Sequence, residues 1–389
     1  MDNEEYTEVK KSRRKTAGAF ILGVIVALAA GILINLVHAR SGSPDTPHSR
    51  ESIQKIQAIE DVIADKYMGE VDNQKLTDYM MLGLVSGLED PYSTYYTEKE
   101  YEMVQQNQNG VFKGIGATIT LREEGYHEIT DIIPGSPAEK VGLAAGDIIL
   151  SVDGAPCAGL TLTEVVYSIR YSEDDVVTIV VKRGDEELSY DITKDYINDI
   201  SVRYEMLDDN IGYLRLTAFN GNTPEQFADA MKDLLKVQKA ERLIIDLRGN
   251  PGGLLSSVCD ICNQILPEGL ICYAEDKKGN REEYYSDGEN ELKLPCVVLI
   301  NGDSASAAEI FSGAVQDYGK AVLVGTTSFG KGIIQNAYKL YDGSVLKLTI
   351  AHYYTPNGRD IHGVGIEPDV TEEDPEKQLD AAIREVKKL

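Results

Sequence analysis

The second half of this chain alternates short apolar runs with segments of helical periodicity. An order of strand, helix and strand implies a largely parallel sheet whose two faces are covered by helices. The pattern therefore predicts an α/β core over 196–389, which closes with a hairpin around Asp342 and a terminal helix over about 376–388. Strands are predicted at 211–216, 242–247, 296–300 and 321–325, and helices at 224–238, 253–266 and 306–318.

A segment of different character, over 108–195, precedes this core. It contains five or six short strands and two short helices, one beginning at Ser136 and the other over 161–170. Ser136 is a suitable N-cap, and Pro137 suits the first helical position. The size and order of these elements are those of a PDZ domain, so the chain is predicted to be an α+β multidomain protein.

Residues 17–37 are 21 consecutive positions without a charge. At about 1.5 Å per residue, a helix of this length just spans the ~30 Å hydrocarbon core of a membrane. Five basic residues precede it within 1–16, so the positive-inside rule places that tail in the cytoplasm and everything after the linker 38–48 outside. We therefore expect a single-pass protein of the cell membrane. A cleaved signal peptide is the alternative, but its apolar core is usually shorter.

The balance of charge argues against one class of partner. The chain has 38 basic and 64 acidic residues, which gives a net charge of −26. Nucleic-acid binding needs clustered Lys and Arg to neutralise phosphates, so no nucleic-acid partner is expected.

Cys259 and Cys262 form a C-x-x-C pair, which is compatible with a redox or zinc site. No second pair and no nearby histidine complete a zinc site, so no metal is predicted. The pair lies in an apolar run, which favours a helix that faces the core.

Residues 49–107 are predicted to be helical and to form a segment of their own. The motif Asp-Pro-Tyr-Ser at 90–93 interrupts the helical pattern. An apolar stripe of this kind faces either the protein's own core or a partner helix, so the segment is also a candidate homodimer interface. The stripe recurs every three or four positions, at Ile53, Ile56, Ile59, Val62 and Ile63.

Ser306 lies where an apolar strand, a tight turn and a helix follow one another. The first turn of a helix has unpaired N–H groups and the positive end of the helix dipole, which both stabilise a nearby anion. A nucleophile at Ser306 would find an oxyanion donor in the amide of Ala307. The alternative is structural, because Ser306 and Glu309 also have the spacing of a capping box.

A glycine-rich loop at 249–253, Gly-Asn-Pro-Gly-Gly, follows another apolar strand. Glycine lets the backbone approach a substrate closely, and Gly252 is the predicted second oxyanion amide. The loop lacks the lysine of a phosphate-binding loop and the spacing of a dinucleotide fingerprint, so nucleotide binding is not expected.

A serine hydroxyl needs a base to react at neutral pH. Lys331 is flanked by glycines and followed by apolar residues, which suits a buried amine whose pKa is lowered by desolvation. Gln335, four residues on, shares its face in a strand or a helix and is placed to orient the amine. A solvated lysine in a glycine turn is the structural alternative. His352 as base would instead define a histidine-dependent serine hydrolase.

In their order and spacing these residues resemble the carboxy-terminal processing (tail-specific) serine proteases. The resemblance runs from about residue 50 to the end of the chain. The chain departs from the family pattern at Ala308, Glu89 and Tyr171, all outside the predicted catalytic residues. The matching motifs are 89–93 (Glu-Asp-Pro-Tyr-Ser), 114–116 (Gly-Ile-Gly), 246–253 (Asp-Leu-Arg-Gly-Asn-Pro-Gly-Gly), 304–309 (Ser-Ala-Ser-Ala-Ala-Glu), 328–332 (Ser-Phe-Gly-Lys-Gly) and 355–359 (Thr-Pro-Asn-Gly-Arg).

The resemblance implies a Ser–Lys dyad assisted by glutamine, with Ser306 as nucleophile, Lys331 as general base and Gln335 beside them. It implies a catalytic core similar to the crotonase/Clp protease fold, no cofactor, and protein substrates with accessible C-termini. The expected function is cleavage of exported proteins by an endopeptidase that forms an acyl-enzyme. A catalytically inactive PDZ scaffold of the same fold is the alternative.

The predicted PDZ segment gains a role from this resemblance. Successive backbone N–H groups around Ile115 can bind a C-terminal carboxylate, and the substrate tail can add as a strand beside 117–121. A plain β-turn at 114–116 is the alternative. The predicted peptide-binding residues are Gly114, Ile115, Gly116, Ala117, Val166 and Ile169.

Overall fold

The structure, a computed structural model, describes residues 46–172 and 174–389. The predicted membrane helix over 17–37 and the predicted cytoplasmic tail lie outside these residues. Within the described ranges, no helix is long and apolar enough to cross a membrane. The chain divides into two units, one that ends at Tyr79 and one that runs over Met80–Leu389.

The N-terminal part contains two helices, α1 (Arg50–Lys66) and α2 (Asn73–Ser86). α1 begins at Ser49, whose hydroxyl accepts a hydrogen bond from the Ser52 N–H at 3.2 Å. No residue of α1 is buried, so its apolar side chains are at least partly accessible.

A turn around Asp90 interrupts the helical segment, as the motif predicts. The Asp90 carboxylate accepts hydrogen bonds from the Tyr92 N–H at 3.0 Å and from the Ser93 hydroxyl at 2.5 Å. The turn leads into the short strand β1 (Thr94–Tyr96) and the helix α3 (Glu98–Asn109). A proline also disfavours helix at the residue before it, which explains why the helical pattern stops here.

The next segment forms its own sheet and core, consistent with the predicted PDZ organisation. Its elements are β2 (Val111–Gly114), β3 (Ala117–Leu121), β4 (His127–Ile132), α4 (Pro137–Val141), β5 (Ile148–Val152), β6 (Ala155–Pro156), α5 (Leu162–Arg170), β7 (Val176–Arg183), β8 (Glu186–Thr193) and β9 (Asp195–Asn198). The main sheet has the order β3-β4-β5-β7-β8, and β2 pairs with β9. β3 is therefore an edge strand, and α5 packs beside it.

The rest of the chain contains the predicted parallel sheet. Its elements are β10 (Val202–Leu207), β11 (Ile211–Leu216), α6 (Thr223–Lys232), β12 (Arg242–Asp246), α7 (Leu255–Cys262), β13 (Gly269–Asp276), β14 (Arg281–Ser286), β15 (Cys296–Ile300), α8 (Ala307–Asp317), β16 (Val322–Gly325), β17 (Ile333–Lys339), β18 (Val345–Tyr354), β19 (Val370–Thr371) and α9 (Gln378–Val386). The sheet order is β10-β11-β12-β15-β16-β19, and every pair after the first is parallel. β15 is buried along its whole length, as expected of a strand covered on both faces.

A second sheet has the order β1-β18-β13-β14, with β17 beside β18. The β17–β18 hairpin was expected around Asp342, and the structure confirms it. The structure also contains a hairpin of β13 and β14 that the sequence does not predict, since no strand is expected between residues 267 and 295. Five of the six residues of β14 remain at least partly exposed, so the strand lacks the apolar pattern that would reveal it.

The five cysteines, all within the described residues, are free thiols. Cys262 is fully buried in α7, and Cys259 is partly buried and packs against the same apolar core. Burial raises the pKa of the Cys262 thiol well above its usual value. The prediction that this pair faces the core is confirmed.

Candidate active site

Ser306 lies at the end of a tight turn between β15 and α8. Its φ of 55° and ψ of −114° are a backbone conformation that residues with a Cβ rarely adopt. The Ser304 hydroxyl holds the turn by donating to the Leu247 carbonyl at 2.8 Å. The Ala305 N–H donates to the Asn250 carbonyl at 2.9 Å. Strain held in place by its surroundings in this way is concentrated at functional sites.

Ser306 and Glu309 have the arrangement of a capping box, in which the backbone atoms make the hydrogen bonds. The Ser306 N–H donates to the Glu309 carboxylate at 2.8 Å, whereas the Ser306 side chain makes no capping hydrogen bond. The Glu309 N–H donates instead to the Ser306 carbonyl at 2.8 Å. Among the described residues, the Ser306 hydroxyl makes no hydrogen bond, so it remains available to react although the capping arrangement is present.

The Glu309 carboxylate joins the serine turn to the lysine loop. It is fully buried, and it also accepts a hydrogen bond from the Ser328 hydroxyl at 2.6 Å. The Gly330 N–H donates to it at 2.7 Å and the Lys331 N–H at 2.8 Å. Four donors offset the cost of burying this carboxylate. The backbones of Ser306 and Lys331 are therefore fixed by one anion.

Tyr353, on β18, fixes the same two backbones from the other side. Its single hydroxyl hydrogen is shared between two carbonyl oxygens, that of Ser306 at 2.9 Å and that of Lys331 at 2.6 Å. Burial, with a smaller contribution from Glu309, raises the pKa of Tyr353 well above its usual value, so the hydroxyl stays a donor. Each of the two backbones thus binds both Glu309 and Tyr353.

Lys331 is partly buried just before β17. Desolvation is the largest influence on its amine and, together with the positive charge of Lys347, lowers the pKa of Lys331 below that of an ordinary lysine. Glu309 and Asp90 oppose this shift. The amine nitrogen lies 4.6 Å from the centre of the Tyr92 ring. The alternative of a fully solvated lysine does not hold.

Ser306, Lys331 and Gln335 line one cavity of about 360 Å³. No hydrogen bond joins the Ser306 hydroxyl to the Lys331 amine, both of which the structure describes. Catalytic contacts are often long without substrate and shorten when it binds. Gln335 donates from Nε2 to the Ile333 carbonyl at 3.5 Å and makes no hydrogen bond to Lys331. The cavity walls also contain Tyr101, Val104, Leu254, Leu255, Ile310 and Ile334.

The two predicted oxyanion amides differ in the structure. Within the described part of the chain, the Ala307 N–H at the start of α8 has no acceptor. The Gly252 N–H donates to the Asn250 side-chain oxygen at 2.8 Å, so a substrate oxyanion would have to compete with that contact. Gly252 nevertheless packs directly on the serine turn, since a Cβ there would lie 2.9 Å from the Ala307 nitrogen.

The predicted peptide-binding residues meet at a separate cavity of about 330 Å³. Ile115 and Ile169 are buried there, and the free edge of β3 borders the cavity. Arg170 also lines the cavity, although no motif in the sequence indicates it. The Arg170 guanidinium lies 4.3 Å from the Phe112 ring, and its buried Nη1 has no hydrogen-bond partner within the described residues. The cavity is lined by the six predicted residues Gly114, Ile115, Gly116, Ala117, Val166 and Ile169 together with Asn107, Phe112, Thr118, Ile119, Ile133, Arg170 and Asp199.

The histidine alternative is not supported by the geometry. His352 precedes Tyr353 on β18, and successive side chains of a strand point to opposite faces. Because Tyr353 reaches the Ser306 carbonyl, His352 points away from the serine and packs edge-on against His362, with ring centres 5.1 Å apart. His352 is not placed to act as a base for Ser306.

Among the described residues, no group of three His, Cys, Asp or Glu side chains is placed to hold a metal ion. That the reaction needs no cofactor stays a prediction.

Sequence profiles of known families match three parts of the chain. Peptidase family S41 matches residues 210–372, a PDZ domain matches residues 128–183, and the N-terminal domain of the activating protease CtpB matches residues 33–100. The carboxy-terminal processing protease CtpA of Bacillus subtilis (strain 168) is 34% identical over 362 residues, which cover 92% of this chain and 77% of that protein. A probable CtpA-like serine protease of Staphylococcus aureus (strain COL) is 34% identical over 366 residues, 93% of this chain and 72% of that protein.

Among solved structures, the photosystem II D1 C-terminal processing protease is similar with a TM-score of 0.50 and 28% identity, covering 82% of this chain and 86% of that one. This chain is thus similar in sequence and in fold to known C-terminal processing proteases. The chain belongs to peptidase family S41. Its homologues there are CtpA-like carboxy-terminal processing proteases.

Proposed function

We propose that this protein is a serine endopeptidase in which Ser306 is the nucleophile and Lys331 the general base. The proposal rests on one observation: Glu309 and Tyr353 each bind the backbones of both residues at the wall of one cavity. Two residues whose backbones are bound by the same buried groups start at a fixed spacing, which helps their side chains to meet for proton transfer.

In the proposed reaction the neutral Lys331 amine takes the proton of the Ser306 hydroxyl while the Ser306 Oγ bonds to the scissile carbonyl carbon. The Ala307 N–H, together with Gly252 once its N–H turns from Asn250, stabilises the oxyanion. The ammonium then protonates the leaving amine, which gives an acyl-enzyme that water hydrolyses. Gln335 orients the amine during both transfers.

The test is cleavage of an unfolded peptide by single and double variants. Ser306→Ala and Lys331→Ala should each abolish proteolysis, and the double variant should be no worse than either, because members of one catalytic unit are not additive. Lys331→Arg should also be inactive, since a guanidinium keeps its proton. His352→Asn is the matched control and should stay active. Turnover by Lys331→Ala would remove the lysine from the mechanism.

We propose further that the cavity at β3 selects substrates by their C-terminal tails. Its edge strand, its amides around Ile115 and its apolar floor are suited to a tail with a free carboxylate and an apolar last residue. Peptides that end in Ala, Val or Leu should be cleaved faster than amidated or Asp-ended versions. Equal rates for all of them would show that this domain does not read tails.

Two proposals concern the N-terminal part. Residues 17–37 are proposed to anchor the protein in the cell membrane with the catalytic part outside. A reporter fused after residue 45 should then be active only outside the cytoplasm.

The second proposal is a homodimer through 49–107. It is supported by the exposure of three apolar side chains on α1, since Ile53, Ile59 and Val62 are 46%, 52% and 61% exposed. Substituting these three by Ser should lower the mass measured by sedimentation if that interface forms.

A further inference from the structure

Residues 90–96, which we call the tyrosine segment, bring two tyrosines to the two lysines of the active-site cavity. The Lys331 amine lies 4.6 Å from the centre of the Tyr92 ring. The Lys347 amine donates to the Tyr96 hydroxyl at 3.3 Å and lies 5.6 Å from the centre of that ring. Both lysines line the cavity that contains Ser306. Tyr92 and Tyr96 have no role in the reaction described so far.

Several contacts fix the tyrosine segment against the catalytic sheet. The Asp90 carboxylate closes the turn that carries Tyr92. The Ser93 hydroxyl accepts a hydrogen bond from the Thr349 N–H of β18 at 3.0 Å. β1 then pairs with β18, with Thr94 opposite Lys347. The positions of both tyrosine rings are therefore set by the strand that carries Lys347.

We propose that the tyrosine segment positions the catalytic base. In this proposal Tyr92 binds the Lys331 amine while it is protonated, and the positive charge of Lys347, which Tyr96 holds in place, favours loss of that proton. This inference rests on the proposed role of Lys331. The face of an aromatic ring attracts an ammonium through its quadrupole but has no such attraction for a neutral amine. A protonated Lys331 therefore stays on Tyr92, and a neutral one is free to reach Ser306.

Lys347 acts in the opposite sense to Tyr92. A second positive charge beside Lys331 disfavours its protonated form, in the same direction as desolvation. The other charged groups near Lys331 are Glu309 on α8 and Asp90 in the tyrosine segment, which favour the protonated form. His362 in turn acts on Asp90, and Tyr353 donates to the Lys331 carbonyl. Tyr92 and Lys347 are thus positioning residues that act through Lys331.

The test is the pH dependence of kcat/KM in four variants. Tyr92→Leu removes the ring, so the acid limb should move to lower pH and kcat/KM on that limb should rise about two- to fivefold. Tyr92→Phe keeps the ring face and should keep the limb where it is. Lys347→Met removes the charge and should move the limb to higher pH, whereas Lys347→Arg should not. Opposite movements are expected only if the two residues act on the protonation of one amine.

The inference would be overturned if the acid limbs of the kcat/KM profiles of Tyr92→Leu and Lys347→Met coincided with that of the wild type. It would also be overturned if both limbs moved in the same direction. Competitive acetylation of Lys331, followed by mass spectrometry across pH in Ser306→Ala protein, reports the same shifts without any proteolysis. Unchanged labelling curves in folded variants would also overturn it. The proposed function fails separately, if Lys331→Ala still cleaves peptides.

Discussion

A single methyl group added at Gly252 should lower the catalytic activity strongly while the protein remains folded. Gly252 has a φ of +101°, and a Cβ there would lie 2.7 Å from the Ala305 carbonyl oxygen and 2.8 Å from the Ser306 Cβ. Ordinary carbon contacts are about 3.5–4.0 Å, so the serine turn or the loop must move by roughly 1 Å. None of the atoms it meets is the end of a flexible side chain. The methyl group of Gly252→Ala is therefore expected to displace the nucleophile itself.

A displacement of about 1 Å can lower the rate of an enzyme by about 10²-fold, so kcat/KM for Gly252→Ala should fall by about that factor. Alanine in the left-handed region also costs about 1–2 kcal/mol of stability. Gly249→Ala is the matched control, because Gly249 lies in the same loop at a φ of +73° and its Cβ would meet nothing within 4 Å.

The assay is peptide cleavage together with urea denaturation of both variants. Both should lose free energy of unfolding from the backbone strain, and Gly252→Ala should lose more because of its close contacts, but only Gly252→Ala should lose most of its activity. Similar kcat/KM values for the two variants would refute the reasoning, because the contact with the serine turn would then have no effect on catalysis.

Three further predictions follow from the groups around the dyad. Because only the neutral amine accepts a proton, kcat/KM should be lost as the pH falls through the lowered pKa of Lys331; a pH–rate profile that instead rises towards acid would contradict this. Glu309→Gln should cost about 2–3 kcal/mol in urea denaturation, because an amide places N–H donors where four donors converge; an unchanged midpoint would contradict it. Tyr353→Phe should cost about 1–3 kcal/mol and lower kcat more than it changes KM, since two backbone carbonyls lose their donor; a change confined to KM would argue against that role.

The sequence predicted the central strands of the parallel core, β11, β12, β15 and β16, because each is a largely buried apolar run flanked by helical periodicity. The same signal located Ser306 in a strand–turn–helix unit. The apolar pattern does not reveal β14, because most residues of that strand are at least partly exposed. Local pattern therefore identified the strands that are buried on both faces and missed others, among them the more exposed strands β10 and β14.

The function of Glu309 shows a different limit of local patterns. Its spacing from Ser306 is that of a capping box, and the structure has this arrangement. Its other donors, from Ser328 to Lys331, are about twenty residues away in sequence, so no local pattern connects them to Glu309. Tyr92 and Tyr353 reach the site from segments more distant still. Contacts of this kind depend on how the two sheets pack together.

The hydroxyl of Ser306 is the reactive group of the proposed enzyme, yet among the described residues it makes no hydrogen bond that holds the fold together. Glu309 and Tyr353 bind only the backbone at this position, which an alanine would also provide. Loss of that single oxygen should leave the free energy of unfolding and both cavities almost unchanged. Proteolysis can therefore disappear in the descendants of such a protein without any selection against misfolding, and a chain that only captures its targets is one substitution away.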